Sequence, residues 1–202
     1  MRWFRRTPLD SVRWVVIDCE TSGLDMTRDR LLSVGAVAVC RGKVQLAEQF
    51  HALVGQREAS PPENILIHGI GGDAQLSGRP LPAVIRELGD FIAGGVPVAF
   101  HAPFDAAVLR RHGVKPQQAW LDLATLAPAL FPERRPTQSP LDQWLGEFTI
   151  AVDPRHDALC DAFATAQLLL VILAEAQRQS IETLEALQRA SRGVRWLGVR
   201  RI

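Results

Sequence analysis

The stretch Trp14-Val-Val-Ile-Asp18 is a short run of apolar, mostly β-branched residues that ends in a carboxylate. Two similar runs follow at residues 31–39 and 44–54, and turn-forming residues separate the three. Successive strands with short connections favour antiparallel pairing. This part of the chain therefore predicts a three-stranded antiparallel meander.

The pattern changes after residue 80, where helical and strand patterns alternate. Apolar residues recur at helical spacing, or form short buried runs between turn formers. Strands are predicted at residues 96–100 and 120–123, and helices at 81–93, 103–112, 141–148, within 156–179, and at 181–190 with Ser180 as N-cap. Three antiparallel strands followed by alternating helices and strands predict one α/β domain on a mixed sheet.

Composition narrows the class of protein. With 202 residues, 47% of them apolar and 22% charged, the chain is long enough for one domain with a full core and is not disordered. Its strongest apolar run, residues 168–174, is far shorter than a bilayer span of about 20 residues. The arginine-rich start does not resemble an export signal, and three cysteines cannot all pair. We therefore expect a cytoplasmic protein without a membrane segment.

The net charge of +1 hides a segregation of charge along the chain. Residues 1–13 carry +3 and residues 189–202 carry +5, whereas residues 14–188 carry −7. We divide the chain into a basic N-terminal segment (1–13), a domain (14–178), and a C-terminal helix with an Arg-rich tail (179–202). The basic ends fit either solvated tails or segments that contact phosphates or a partner protein.

Two carboxylates mark the end of the first predicted strand. Asp18 and Glu20 are separated by two positions, so their side chains face the same side of the strand. Two such carboxylates repel each other unless a cation lies between them or one is protonated. At the end of an apolar strand we favour a bound cation. The alternative is that both side chains are solvated where the strand ends.

Three further residues complete a candidate constellation. Asp105 falls in the first turn of a predicted helix, where a carboxylate also has the simple role of contacting free backbone N–H groups. Asp161 interrupts a run of small and apolar residues, and burying it unpaired would be costly, so it should reach a cation, a donor or a cleft. His156 is predicted in the loop that enters the same helix, free to swing over Asp161.

The five residues lie in three longer motifs. These are Val16-Ile-Asp18-Cys-Glu20-Thr-Ser-Gly-Leu24, Val98-Ala-Phe-His-Ala-Pro-Phe-Asp105 and His156-Asp-Ala-Leu-Cys-Asp161. In this order they resemble the motifs of the DEDD superfamily of 3′–5′ exonucleases in its histidine-containing (DEDDh) branch, which includes DNA polymerase III epsilon-subunit-like proofreading exonucleases. A fourth segment, residues 67–70, is similar to the stretch between the family's first two motifs.

The resemblance implies a ribonuclease H-like fold, with helices on both faces of the sheet, and a metal-dependent nuclease. In the family, the positions matching Asp18, Glu20, Asp105 and Asp161 hold two divalent ions, Mg²⁺ or Mn²⁺, and the position of His156 is the general base. The implied reaction releases nucleoside 5′-monophosphates from single-stranded 3′ ends, with DNA favoured.

Two alternatives stay open. One is an exonuclease directed at RNA or short oligoribonucleotides, and another is a non-catalytic module of the same fold that binds nucleic acid or a polymerase. A phosphatase of the haloacid dehalogenase type is disfavoured, because it expects two aspartates where this chain has Asp18 and Glu20.

The resemblance also implies substrate contacts. Thr21 is expected to meet the 3′-terminal sugar, Leu24 the last base, and His68 the substrate nearby; ordinary turn and core packing are the alternatives. The family has His-Asn where this chain has Phe100-His101. Like the asparagine amide, the neutral imidazole of His101 offers one donor and one acceptor, although in a different geometry. The expected partners are single-stranded 3′ ends and, through the tail, a polymerase or another protein.

Overall fold

The sheet follows directly from the β-branched runs. The structure is a computed structural model that describes residues 6–134, 140–152 and 156–197. Within these residues five strands form one sheet in the order β3-β2-β1-β4-β5. β1 pairs antiparallel with β2, as does β2 with β3, whereas β4 runs parallel to β1 and β5 to β4. The predicted meander and mixed sheet are confirmed. The strands are β1 (Trp14–Thr21), β2 (Leu31–Cys40), β3 (Lys43–Leu53), β4 (Val96–Ala99) and β5 (Leu121–Asp122).

The α-helices of the described residues surround this sheet. They are α1 (Pro62–His68), α2 (Gly72–Ser77), α3 (Leu81–Ile92), α4 (Ala102–Arg111), α5 (Leu123–Leu130), α6 (Leu141–Glu147), α7 (Ala158–Arg178) and α8 (Leu184–Leu197). The two short helices α1 and α2 are absent from the sequence prediction. α1 has Pro62 in its first turn and is capped by Gly69, whose φ of 69° is the left-handed conformation that glycine tolerates.

The alternation of side chains along β1 divides the core between two faces of the sheet. Trp14 and Val16 belong to a cluster with residues of α5, α6, α7 and α8. Val15 and Ile17 belong to a second cluster with residues of α3 and α4. Helices therefore cover both faces, as predicted. The same alternation carries Asp18 on towards the α7 side of the sheet.

The start of the last helix differs from the prediction. Ser180 is not its N-cap: α8 begins at Leu184, and Thr183 Oγ1 accepts a hydrogen bond from the Ala186 N–H at 3.4 Å. The chain before α8 instead pairs with the N-terminal segment, where the Leu9 N–H donates to the Glu182 carbonyl at 3.0 Å. This tertiary pairing overrides the local capping signal of Ser180.

The two ends of the chain are only partly described. Residues 1–5 of the basic N-terminal segment and 198–202 of the Arg-rich tail lie outside the described residues, as do 135–139 and 153–155. Leu184 and Leu187 of α8 are buried in the core cluster on the α7 side. The helix therefore packs onto the domain, and the division at residues 178/179 stays a prediction.

α7 is long and apolar enough to cross a membrane by length and composition alone. More than half of that stretch, 56%, is buried inside the protein. Its buried side chains, such as Leu168 and Ile172, belong to the core cluster that covers one face of the sheet. Packing against the sheet thus accounts for the apolar character of this helix.

Candidate active site

The candidate site lies where β1 ends and α7 begins. Asp18 and Glu20 are half-buried in β1, where they stand opposite Gly35 and Ser33 of β2. β4 runs parallel to β1 and leads into α4, whose first turn carries Asp105. The carboxyl ends of two parallel strands and the N-terminus of α7 thus bring distant parts of the sequence to one edge of the sheet.

One cluster in this region has the spacing of a metal site. Among the described residues, Glu20, His156 and Asp161 each offer one ligand atom, and these atoms all lie within 4.8 Å of one another. Asp161 is buried in the first turn of α7, whereas His156 precedes the helix and is exposed. The His156 backbone N–H donates to Asp161 Oδ2 at 3.2 Å. The structure therefore brings one acid of β1 together with the histidine and the acid of α7.

Asp105 lies deeper, beside Cys19. Its side chain is only 4% exposed, and both the backbone N–H and the thiol of Cys19 donate to its carboxylate. Burial raises the pKa of Asp105 to about 7, and the charge of Asp122 acts in the same direction. A buried carboxylate with a raised pKa is a group that a nearby cation would stabilise in its charged form.

The buried thiol of Cys19 reports on the same group of acids. Burial raises its pKa well above the usual value, and the charges of Asp105, Asp18 and Glu20 raise it further. These three carboxylates therefore surround one residue of β1. A protonated, buried thiol is a poor nucleophile and a poor metal ligand, so Cys19 serves as a hydrogen-bond donor to Asp105.

Two aspartates that the sequence analysis did not single out hold the helices that carry these groups. Asp157 caps α7, with Oδ1 accepting from the N–H groups of Leu159 at 3.0 Å and Cys160 at 2.9 Å. Asp122, at the end of β5, accepts from Ala102 N at the start of α4 at 3.2 Å and from Ala124 N at 3.2 Å. An aspartate just before an apolar helical run is an N-cap signal, so both were detectable as caps.

Two of the predicted substrate-binding residues lie where β1 ends: Thr21 is its last residue, and Leu24 is in the loop that follows. Thr21 Oγ1 donates to the Gly23 carbonyl at 2.5 Å, while the Leu24 side chain is 88% exposed. Asp29 holds the loop closed, because its carboxylate accepts from Ser22 Oγ at 2.9 Å and from the Asp25 N–H at 2.7 Å. Leu24 therefore projects into solvent from an internally braced loop.

Neighbouring helices brace the same loop from outside. Arg111 of α4 donates to the Met26 carbonyl at 3.1 Å and also to the Asp29 carbonyl. Asn64 of α1 donates through Nδ2 to the Ser22 carbonyl at 2.6 Å. These contacts connect α1 to the loop that follows Glu20, a proximity that local sequence patterns did not indicate.

The other two substrate candidates differ in exposure. His68 is 3% exposed; its Nδ1 accepts from the Ile70 N–H at 3.1 Å, its Nε2 has no hydrogen-bond partner among the described residues, and burial lowers its pKa. His101 is exposed at the N-terminus of α4, with a φ of 63° and its ring edge-on to Phe100 at 4.8 Å. His101 is thus accessible from solvent, whereas His68 shapes the turn after α1.

The donor set fits a hard divalent cation. Carboxylate oxygens are the ligands that Mg²⁺ and Mn²⁺ prefer, and Asp105 and Asp161 are buried carboxylates at this edge. Imidazole nitrogen, which His156 adds to the cluster, suits Zn²⁺ as well. The arrangement therefore supports a metal-binding site without fixing which ion it prefers.

Comparison with known proteins agrees with this geometry. A family model described as Exonuclease (RNase T) matches residues 15–169. The chain belongs to this exonuclease family. The family membership expected from the sequence motifs is thereby confirmed.

Relatives of this chain include DNA polymerase III proteins. It is 32% identical, over 186 residues, to a DNA polymerase III subunit epsilon-like protein of Rhodobacter capsulatus, covering 89% of this chain and 26% of the relative. It is 28% identical to a DNA polymerase III PolC-type of Streptococcus thermophilus, covering 89% of this chain and 12% of that protein. The chain therefore spans only a small part of the length of these relatives.

Solved exonuclease structures share the fold. Exonuclease X in complex with 5′ overhanging duplex DNA superposes with a TM-score of 0.68 at 25% identity, covering 88% of this chain and 99% of that one. Escherichia coli exonuclease I in complex with a dT13 oligonucleotide gives a TM-score of 0.70 at 17% identity, covering 84% of this chain and 42% of that one. The expected ribonuclease H-like fold is confirmed by these neighbours.

Proposed function

We propose that this exonuclease-family protein is a metal-dependent 3′–5′ exonuclease of the DEDDh type. It would hydrolyse phosphodiester bonds at single-stranded 3′ ends and release nucleoside 5′-monophosphates. The observation that carries this proposal is the cluster of Glu20, His156 and Asp161, whose ligand atoms lie within 4.8 Å of one another. It supports the proposal because it joins an acid of the first motif to the histidine and the acid of the third.

Asp18, Glu20, Asp105 and Asp161 would hold two Mg²⁺ or Mn²⁺ ions. When bound, such ions stabilise the charge that develops on the attacking and leaving oxygens of a phosphoryl displacement. Four carboxylates would balance the charge of two divalent ions. The burial of Asp105 and Asp161 supports this role, since removing a carboxylate from water disfavours its charged form and a cation offsets that cost.

His156 would act as the general base. A neutral imidazole can accept a proton at one ring nitrogen, which suits the removal of a proton from an attacking water. The exposure of this side chain supports the role, because the proton can pass on to solvent. The hydrogen bond from its backbone N–H to Asp161 keeps the histidine next to the carboxylates while the ring stays outside the helix.

The substrate we favour is DNA. The relatives are DNA polymerase III proteins and the structural neighbours include complexes with DNA, which supports this choice. Leu24, in the loop after Glu20, and His101, at the N-terminus of the helix that carries Asp105, are exposed and would contact the terminal nucleotide, as would Thr21. RNA stays the alternative, because discrimination depends on contacts to the 2′-hydroxyl. A polymerase partner and a cytoplasmic location stay predictions.

The test is a time course with 5′-labelled DNA and RNA oligonucleotides of the same sequence, in EDTA and in Mn²⁺. We expect metal-dependent shortening from the 3′ end, faster on DNA, and none with Asp161→Asn. Asp142→Asn, at an exposed carboxylate of α6, is the matched control and should retain activity. Binding without shortening on any substrate would favour the non-catalytic module, and faster shortening of RNA would favour an RNA-directed enzyme.

A further inference from the structure

Gly35 lies at the point where α7 meets the sheet. It is in β2, directly opposite Asp18 of β1. A Cβ atom built at this position would overlap the backbone carbonyl of Ala158 and the backbone nitrogen of Leu159. These are main-chain atoms, which cannot rotate out of the way as a side chain can. Glycine is therefore required here by space: the first turn of α7 lies directly on the backbone of β2.

The first turn of α7 also carries the site. Asp157 is its N-cap, and the Asp161 N–H donates to the Asp157 carbonyl at 2.9 Å. The His156 N–H in turn donates to the Asp161 carboxylate. Residues 156–161 thus form one hydrogen-bonded unit. Any displacement of this unit from β2 moves Asp161 and His156 away from Glu20 together.

We propose that Gly35 is a positioning residue: by admitting the α7 backbone against β2, it sets Asp161 and His156 at ligand distance from Glu20. This inference rests on the proposed function, because it assigns Gly35 to the same metal-dependent site. Gly35 has no side chain with which to bind substrate or metal. Its part is to fix the distance between the two halves of the site.

The competing explanation is that Gly35 serves only packing. A substitution at a second glycine distinguishes this explanation from a positioning role. A Cβ at Gly95 would lie 2.6 Å from Val15 Cγ2 and 3.1 Å from Arg13 Nη1, so an alanine there also crowds the sheet. Gly95 precedes β4, at the opposite end of β1 from Asp18. Gly95→Ala is therefore a matched control that perturbs packing away from the carboxylates.

The experiment compares wild type, Gly35→Ala and Gly95→Ala in Mn²⁺ titration calorimetry without nucleic acid, thermal unfolding in EDTA, and steady-state kinetics. We expect both variants to lose thermal stability. For Gly35→Ala we expect Mn²⁺ affinity to fall about 10–100-fold, as for residues that orient metal ligands, and kcat to fall about 100-fold with little change in KM, as for misplaced catalytic groups. Gly95→Ala should keep the wild-type Mn²⁺ affinity and kcat.

A second pair of variants covers the case in which Gly35→Ala does not fold. Asp157→Ala removes the cap of the first turn, whereas Asp157→Asn keeps a good N-cap and removes the same charge. We expect weaker Mn²⁺ binding in Asp157→Ala than in Asp157→Asn. If Gly35→Ala folds and binds Mn²⁺ with wild-type affinity, the proposal is overturned. If Gly35→Ala does not fold, equal Mn²⁺ affinities of Asp157→Ala and Asp157→Asn would overturn it.

The Mn²⁺ titration separates this inference from the proposed function. A wild type that binds Mn²⁺ but shortens no oligonucleotide would refute the exonuclease activity, while the Gly35 comparison would still be decided by metal affinity. A wild type that binds no Mn²⁺ would overturn both.

Discussion

Asp105→Asn should stabilise the metal-free protein at alkaline pH. The native carboxylate is 4% exposed, and burial raises its pKa from 3.8 to about 7. The folded protein therefore keeps the proton up to about pH 7, whereas the unfolded chain loses it near pH 4. Because the folded state binds more protons in this window, its stability must fall as the pH rises from about 4 through about 7.

The size of the effect follows from the two pKa values. Each pH unit of separation is worth about 1.36 kcal/mol, so a pKa raised from 3.8 to about 7 sets a ceiling of about 4 kcal/mol at full ionisation. Structural relaxation and water entry reduce such penalties, and we expect about 2 kcal/mol. Asparagine is nearly isosteric and its oxygen can still accept from Cys19, so the variant removes the charge with little change of packing.

The assay is thermal unfolding of both proteins in EDTA at pH 4 and pH 8. At pH 4 the two should unfold within about 1 °C of each other, because Asp105 is neutral in the fold and the unfolded chain is only at the start of the pH range in which ionisation favours it. At pH 8 the variant should unfold about 4–8 °C higher, since about 1 kcal/mol corresponds to about 2–4 °C for a chain of this size. Saturating Mn²⁺ should reverse the order by stabilising only the wild type. Equal melting temperatures of wild type and variant at pH 8 in EDTA would refute the claim that burial raises the pKa of Asp105.

Three other predictions concern single side chains that the sequence singled out. His156→Ala should lower kcat about 10²–10⁴-fold, as for loss of a general base, while calorimetric Mn²⁺ affinity and DNA binding are retained; normal turnover would remove His156 from the mechanism. Leu24→Ala should change the free energy of unfolding by less than about 0.5 kcal/mol, because the side chain is 88% exposed, yet raise KM for DNA; an unchanged KM would exclude a contact with the last base. His68→Asn should remove a pH-dependent part of the free energy of unfolding. Burial lowers the pKa of His68 in the folded protein. The stability of the wild type therefore declines as the pH falls below about 6.5, the pKa of the unfolded chain, whereas the variant lacks this decline. Urea unfolding at pH 5 and 7 should show the difference between wild type and variant growing with pH, and a constant difference would contradict this.

The sequence was sufficient to predict the meander and the two halves of the candidate site. β-Branched runs mark β1 to β3, and the two-residue spacing of Asp18 and Glu20 places both on one face of a strand. Asp161 was detectable because a carboxylate interrupts an apolar helix. Each of these signals lies within a few residues of the feature that it predicts.

The missed features depend on contacts between distant segments. Gly35 is needed because the backbone of Ala158 lies on it, and no pattern around residue 35 contains that information. Ser180 has the residue type of an N-cap, but pairing with the N-terminal segment delays the helix to Leu184. α1 and α2 are too short for apolar periodicity to appear. His68 is buried, which agrees with the core-packing alternative that the sequence left open beside a substrate contact.

The most direct test of the central claim is the chemistry of the released product. Single-stranded DNA should be degraded by the wild-type protein with Mn²⁺ in water enriched in ¹⁸O, and the products analysed by mass spectrometry. Water attack at the terminal phosphodiester predicts nucleoside 5′-monophosphates that carry one ¹⁸O in the phosphate, a 3′-hydroxyl on the shortened strand that carries none, and no product from Asp161→Asn. Nucleoside 3′-phosphates, loss of nucleotides from the 5′ end, or the same products from Asp161→Asn would contradict the account.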